Sequence, residues 1–176
     1  MRQAVFISGK GSNLKALLDS NPNSSFYVFS NKNCEGLSWA KRRGFPVEVI
    51  SFKTESDWIE FGQRLNSLKI RRILLLGFMK VIPEMFLDLI EAKCINLHPS
   101  VLPKFPGLKA IEKSYETDEG RGCSLHEVIA EVDKGEIILQ KPVLNKLDFQ
   151  NFKERIHQSE QRVVEKYIDM TRGVYG

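Results

Sequence analysis

Ala4-Val5-Phe6-Ile7-Ser8-Gly9-Lys10-Gly11-Ser12-Asn13 sets the architecture of the chain. Four apolar residues run into a glycine-rich turn, and Leu14, Leu17 and Leu18 beyond it share one helical face. A short continuous apolar run, a turn and a helix together read as a buried strand leading into an α/β unit. Such turns bind anions in α/β proteins, because the amides of the helix start point outward and glycines allow close approach. Two nucleotide readings fail. A Walker loop needs four residues between its first glycine and a Gly-Lys pair, and that spacing is missing. A dinucleotide fingerprint needs a third glycine where Leu14 stands, and an acid after the second strand, where the chain reads Phe29-Ser30-Asn31-Lys32-Asn33. A plain tight turn stays open beside a phosphate held by the amides of Gly11, Ser12 and Asn13 and the Ser12 hydroxyl.

The alternation continues. Residues 26–29 form a second strand, and a helix carrying Leu37 and Ala40 stops at Gly44 ahead of Pro46. Residues 47–50 form a third strand. Thr54 and Asp57 fit a capping box, followed by an apolar stripe of Trp58, Phe61, Leu65 and Leu68. The run 73–76 suits a central parallel strand, and Pro83 opens a short helix with Phe86 and Leu89. The pattern then changes. A loop with three prolines spans 99–107, and a short helix passes through Ala110 and Ile111. Strands 124–129 and 137–143 flank Asp133-Lys134-Gly135, the signature of an antiparallel hairpin. A last helix covers 149–170. With no repeat, low-complexity tract or linker, the expectation is one α/β domain over residues 1–176. Its sheet is mostly parallel and twisted, with helices on both faces and a C-terminal antiparallel hairpin.

Composition narrows the function. With 176 residues, 42% apolar and 27% charged, the chain reads as an ordinary soluble protein. The longest apolar run, 73–79, is too short to cross a bilayer, so no membrane is expected. The first residues lack a signal-peptide pattern, which points to the cytoplasm. Cys34, Cys94 and Cys123 are odd in number and widely spaced, arguing against disulfides and against a metal site. The net charge of +4 is spread along the chain, which suits a small anionic substrate better than nucleic acid.

The candidate reacting centre is Cys94-Ile95-Asn96-Leu97-His98-Pro99-Ser100. In a strand Asn96 and His98 face the same way, so an amide donor adjoins a group that titrates near neutral pH. Pro99 then ends the strand. Read alone, these residues also fit a polar strand end capped by its own loop. Asp133 suits its turn for local hydrogen bonding alone; a functional part requires it to approach His98. Glu160 shares a helical face with Ile156 and Val164, so it needs a partner, either an internal cation or a ligand hydroxyl or amine. His126 reads as a core histidine satisfied by a neighbour, and His157 as a surface or rim residue.

Taken in order, several stretches resemble the phosphoribosylglycinamide formyltransferase family over nearly the whole chain. They are Ser8–Asn13, Gly77-Phe78-Met79-Lys80, Ile95-Asn96-Leu97-His98-Pro99-Ser100, Phe105-Pro106-Gly107, and Gly122-Cys123-Ser124-Leu125-His126 with Asp133 and Gly135. The resemblance implies a Rossmann-like fold and formyl transfer in purine biosynthesis, from 10-formyltetrahydrofolate as donor to the amine of glycinamide ribonucleotide. It implies Asn96, His98 and Asp133 as the catalytic trio, with His98 protonated. Gly11, Ser12 and Asn13 would hold the acceptor phosphate, and Glu160 its ribose or glycinamide end. Phe78, Met79, Val81, Ile82, Ile129 and Asp133 would line the donor. It implies no metal, and a monomer or homodimer. The chain departs from the family at Lys109, where a histidine is usual, at His157, where glutamine is common, and near Glu55 and Asp57, where a donor-side arginine has no match. Two alternatives stay open: another acceptor such as an amino sugar nucleotide, or a folate- or nucleotide-binding module without catalysis.

Overall fold

The computed structural model describes residues 2–21, 25–144 and 148–172. Seven strands form a mixed, mostly parallel sheet in the order β3-β2-β1-β4-β5-β6-β7. They are β1 (Arg2–Ile7), β2 (Phe26–Ser30), β3 (Val47–Val49), β4 (Ile70–Leu75), β5 (Lys93–His98), β6 (Gly122–Glu127) and β7 (Ile137–Pro142). The helices are α1 (Ser12–Ser20), α2 (Glu35–Arg42), α3 (Glu55–Ser67), α4 (Glu84–Leu89), α5 (Ala110–Thr117) and α6 (Phe149–Arg172). The chain parts into two compact units, Met1–Ile95 and Asn96–Gly176.

In the first unit β1 is the hub. It pairs in parallel with β2 on one side and β4 on the other, and β2 pairs in parallel with β3. Ala4, Val5, Phe6 and Ile7 are fully buried, as a strand covered on both faces requires. Around Phe6 the aromatic rings of Phe29, Phe61 and Phe78 lie within 5.7 Å, tilted or edge-on, and Phe52 stacks on Trp58 at 3.9 Å. The capping box forms at α3: Thr54 Oγ1 accepts from the Asp57 amide, and the Asp57 carboxylate accepts from the Thr54 amide at 2.8 Å. Gly44, at φ 82, follows α2 in the left-handed region that glycine tolerates.

In the second unit β6 and β7 are antiparallel, with Ser124 opposite Gln140 and Leu125 opposite Leu139. The strand expected at 124–129 lies two residues earlier. The extra pairing of Gly122 with Pro142 extends its start; the register shifts between Leu125 and His126, and the strand ends at Glu127. Ile129 therefore falls in the connection between β6 and β7. Gly135 is obligatory there, since a Cβ on it would lie 1.8 Å from the Glu127 carbonyl oxygen. Val143, Phe152 and Ile156 form a buried cluster, with Ile111, Tyr115 and Phe149 packed against it.

Candidate active site

His98 ends β5 and is buried, with Pro99 and the prolines that follow leading the chain away in an irregular loop. Its Nε2 donates to the Phe105 carbonyl at 2.8 Å, and its Nδ1 lies 3.2 Å from Asp133 Oδ2. A neutral ring carries one proton and satisfies only one of these acceptors; the imidazolium satisfies both. Burial pushes the His98 pKa below the ordinary histidine value, and the Asp133 charge and the Phe105 carbonyl oppose that push without overcoming it. The standing imidazolium implied by the resemblance is thus disfavoured at rest, although both acceptors for a second proton are already in place.

Asp133 sits at φ 56, a left-handed conformation uncommon outside glycine and tolerated best by Asn and Asp. The turn aims its carboxylate inward. Oδ2 accepts the Gly107 amide at 2.7 Å, and Oδ1 accepts Asn96 Nδ2 at 3.2 Å. Burial alone would raise its pKa, but a hydrogen bond from the His126 ring, available when both ring nitrogens carry protons, one from the Gly107 amide, and the charge the histidines carry when protonated take it below the ordinary carboxylate value.

The structure therefore brings Asn96, His98 and Asp133 together, and adds a fourth member. His126, 2% exposed, donates from Nδ1 to the Glu127 carbonyl at 2.7 Å. A carbonyl can only accept, so in the neutral ring Nε2 is an acceptor, and it faces Asn96 Nδ2 at 3.2 Å and Asp133 Oδ1 at 3.3 Å. The expectation of a core histidine satisfied by a neighbour is met, and the neighbours are Asn96 and Asp133, two of the residues expected to react. The available signal was alternation: Ser124 and His126 share a face of β6, and Ser124 Oγ accepts the Leu102 amide of the proline loop at 3.0 Å.

Glu160 is buried in α6, and His157, whose side chain is 39% exposed, donates from Nδ1 to Glu160 Oε2 at 2.8 Å. Glu160 also bears electrostatically on His98 and Cys123. Lys109 is the exposed N-cap residue of α5, at φ 60. Among the described residues no group of three or more His, Cys, Asp or Glu side chains is arranged to hold a metal ion.

The first unit presents a different kind of site. In the order β3-β2-β1-β4 the chain reverses direction across the sheet between β1 and β4, and ligands of open α/β sheets bind beyond the strand ends at such a switch point. The turn after β1 holds Gly11 at φ 71, and the connection after β4 holds Gly77 at φ 76. Ser12 is exposed, and Gly11 accepts the first helical hydrogen bond of α1, from the Lys15 amide at 2.8 Å. Of the residues expected against a donor, Met79 and Val81 are 68% and 69% exposed and Ile129 is 41% exposed. Ile82 is buried and Phe78 packs edge-on against Phe6 and Phe52. No helix among the described residues is long and apolar enough to cross a membrane.

The sequence model of the family described as formyl transferase matches residues 1–168. The chain belongs to the formyl transferase family. Within it, the chain is 37% identical over 151 residues to the phosphoribosylglycinamide formyltransferase of Haemophilus influenzae, covering 80% of this chain and 71% of that protein. It is 42% identical over 153 residues to the human trifunctional purine biosynthetic protein adenosine-3; that match takes in 81% of this chain and only 15% of the human protein. The crystal structure of phosphoribosylglycinamide formyltransferase from Campylobacter jejuni superposes with a TM-score of 0.85 at 33% identity, over 97% of this chain and 96% of that one. The α/β fold of this formyl transferase, with its C-terminal antiparallel strands, is the fold of those enzymes.

Proposed function

We propose that this formyl transferase moves the formyl group of 10-formyltetrahydrofolate to the amine of glycinamide ribonucleotide, a step of purine biosynthesis. The observation that carries the reading is the buried cluster in which Asp133 accepts from Asn96 and faces His98 and His126 within 3.3 Å. Family membership supports the donor class, and the relatives' names support the acceptor.

In this reading Asn96, His98 and Asp133 are the catalytic residues. The acceptor amine attacks the formyl carbon, a new C–N bond forms, and the bond to the folate nitrogen breaks. Charge gathers on the formyl oxygen. The Asn96 amide and His98 donate to it, and each such donor is worth roughly 3–4 kcal/mol in a water-poor site. Burial disfavours a second proton on His98, so the ring donates to the oxyanion through the Nε2 hydrogen that the Phe105 carbonyl accepts at rest. The carboxylate of Asp133 takes the amine proton and passes it, through water, to the departing folate nitrogen.

The remaining assignments follow the same reading. In the first unit Gly11, Ser12 and Asn13 bind the acceptor phosphate, and Phe78, Met79, Val81 and Ile82 contact the donor. In the second, Glu160 binds the acceptor and Ile129 and Asp133 contact the donor. The enzyme works as one domain over residues 1–176, as a cytoplasmic monomer or homodimer on small molecules, with no nucleic acid, membrane or metal partner.

The test is a spectrophotometric assay with purified protein, the formyl donor and glycinamide ribonucleotide, following loss of the formyl group from folate. Turnover that requires the ribonucleotide supports the reading. Turnover only with an amino sugar nucleotide would move the acceptor, and binding of both ligands without turnover would leave a non-catalytic module.

A further inference from the structure

The Ser8 hydroxyl lies at the switch point with no part in the chemistry above. It is 4% exposed, at the first position after β1. Its single proton goes to Asn31 Oδ1 at 2.6 Å, and its lone pair accepts the Met79 amide at 2.9 Å. Asn31 follows β2 and Met79 follows β4, so one side chain joins the connections beyond three neighbouring strands.

The two bonds depend on each other. Asn31 Oδ1 can only accept, so it fixes the hydroxyl proton and leaves a lone pair aimed at the Met79 amide. Gly36 binds the same turn from the other side, its amide donating to the Gly9 carbonyl at 3.1 Å. Met79, in contrast, is two-thirds exposed, so the Ser8 bond fixes a loop that its own side chain does not anchor.

We infer that Ser8 is a positioning residue that sets the backbone of the loop from Phe78 to Ile82 from within the anion-binding turn. It thereby governs affinity for the formyl donor. The inference rests on the reading that this turn holds the acceptor and this loop the donor. It carries a distinctive consequence: a change in the acceptor's turn moves the donor constant.

The experiment compares Ser8→Ala with Ser12→Ala, measuring KM for each substrate, kcat and thermal unfolding of the free protein. One lost hydrogen bond corresponds to about a fivefold change in affinity. Ser8→Ala should raise the donor KM about fivefold or more, with Tm close to the parent. Ser12→Ala should raise the acceptor KM and leave the donor KM within about twofold. Asn31→Ala, which keeps the serine but releases its proton, should shift the donor KM in the same direction, and it decides the matter if Ser8→Ala does not fold. A donor KM unchanged in both Ser8→Ala and Asn31→Ala overturns the inference. An acceptor KM unmoved by Ser12→Ala would instead overturn the assignment of the turn.

Discussion

Asp133 Oδ2 faces His98 Nδ1 at 3.2 Å, with the two side chains only 8% and 5% exposed. A carboxylate this enclosed acts through its charge and not by geometry alone, because little water is present to screen it. Asp133→Asn separates the two contributions. Asparagine tolerates the left-handed backbone of the turn, and its carbonyl oxygen can still accept the Gly107 amide. The variant should fold with a Tm near the parent's. Its kcat should fall by about 10²–10⁴-fold, the usual range for a lost proton-transfer group. Stopped-flow turnover beside differential scanning calorimetry checks both halves, and full activity in a folded variant would remove Asp133 from the chemistry.

The same pair predicts how stability varies with pH. The unfolded chain binds the His98 proton near the ordinary value of 6.5, whereas the buried ring binds it only at lower pH. Stability is therefore undiminished by His98 above 6.5, falls as pH drops below it, and levels once the folded ring is protonated. Asp133 adds a second loss. Its carboxyl lies below the ordinary 3.8, so the unfolded state protonates first and stability declines from there through the folded pKa. Urea midpoints measured across the acid range should show both limbs. His98→Gln should abolish the first. Asp133→Asn should abolish the second and deepen the first, because it removes the charge that opposes burial of the imidazolium.

His126 supplies a prediction about orientation. Its Nε2 faces the Asn96 amide nitrogen at 3.2 Å, and this contact fixes which end of the amide points toward Asp133. His126→Phe fills the volume but removes the acceptor, leaving a half-buried donor poorly paired, at a cost of about 1–3 kcal/mol. The kcat should fall about tenfold or more while both KM values move little, since the ring's polar contacts go to Asn96, Asp133 and the Glu127 carbonyl. His126→Gln, which restores an acceptor, should recover part of the loss. A KM effect without a kcat effect would show that His126 shapes a binding surface instead.

Most of the fold was legible because it rests on local signals. The 4–7 run, the Thr54–Asp57 box, Gly44 and the Asp133-Lys134-Gly135 turn each fix a nearby conformation, and each appears where the residues imply. The meeting of Asn96, His98 and Asp133 was not derivable from spacing. It depends on a turn that holds Asp133 in the left-handed region and on the Gly107 amide, neither of which side-chain identity announces. Only the family resemblance anticipated it. The resemblance implies a protonated His98, and burial opposes it: an adjacent carboxylate is visible in sequence once a family is suspected, whereas the depth of burial is not. His126 and Ser8 escaped notice for a related reason: one looked like core and the other like part of a turn.

Gly36 carries the last prediction. It lies in the first turn of α2, where a Cβ would stand 2.9 Å from the Gly11 Cα, 2.8 Å from Ile7 Cδ1 and 3.1 Å from the Gly9 carbonyl oxygen. The Ile7 methyl can rotate away, but the Gly11 backbone cannot yield without displacing the turn. Gly36→Ala should therefore raise the acceptor KM tenfold or more, as an estimate on the order of 1–3 kcal/mol for an overpacked site. Gly44→Ala is the matched control. Its backbone at φ 82 penalises any side chain, yet nothing lies within 4 Å of the added Cβ. That variant should lose about 1 kcal/mol of stability and keep the parent's acceptor KM. Equal effects of the two substitutions on acceptor KM would mean that the turn responds to general loosening of the first unit and not to the Gly36–Gly11 contact.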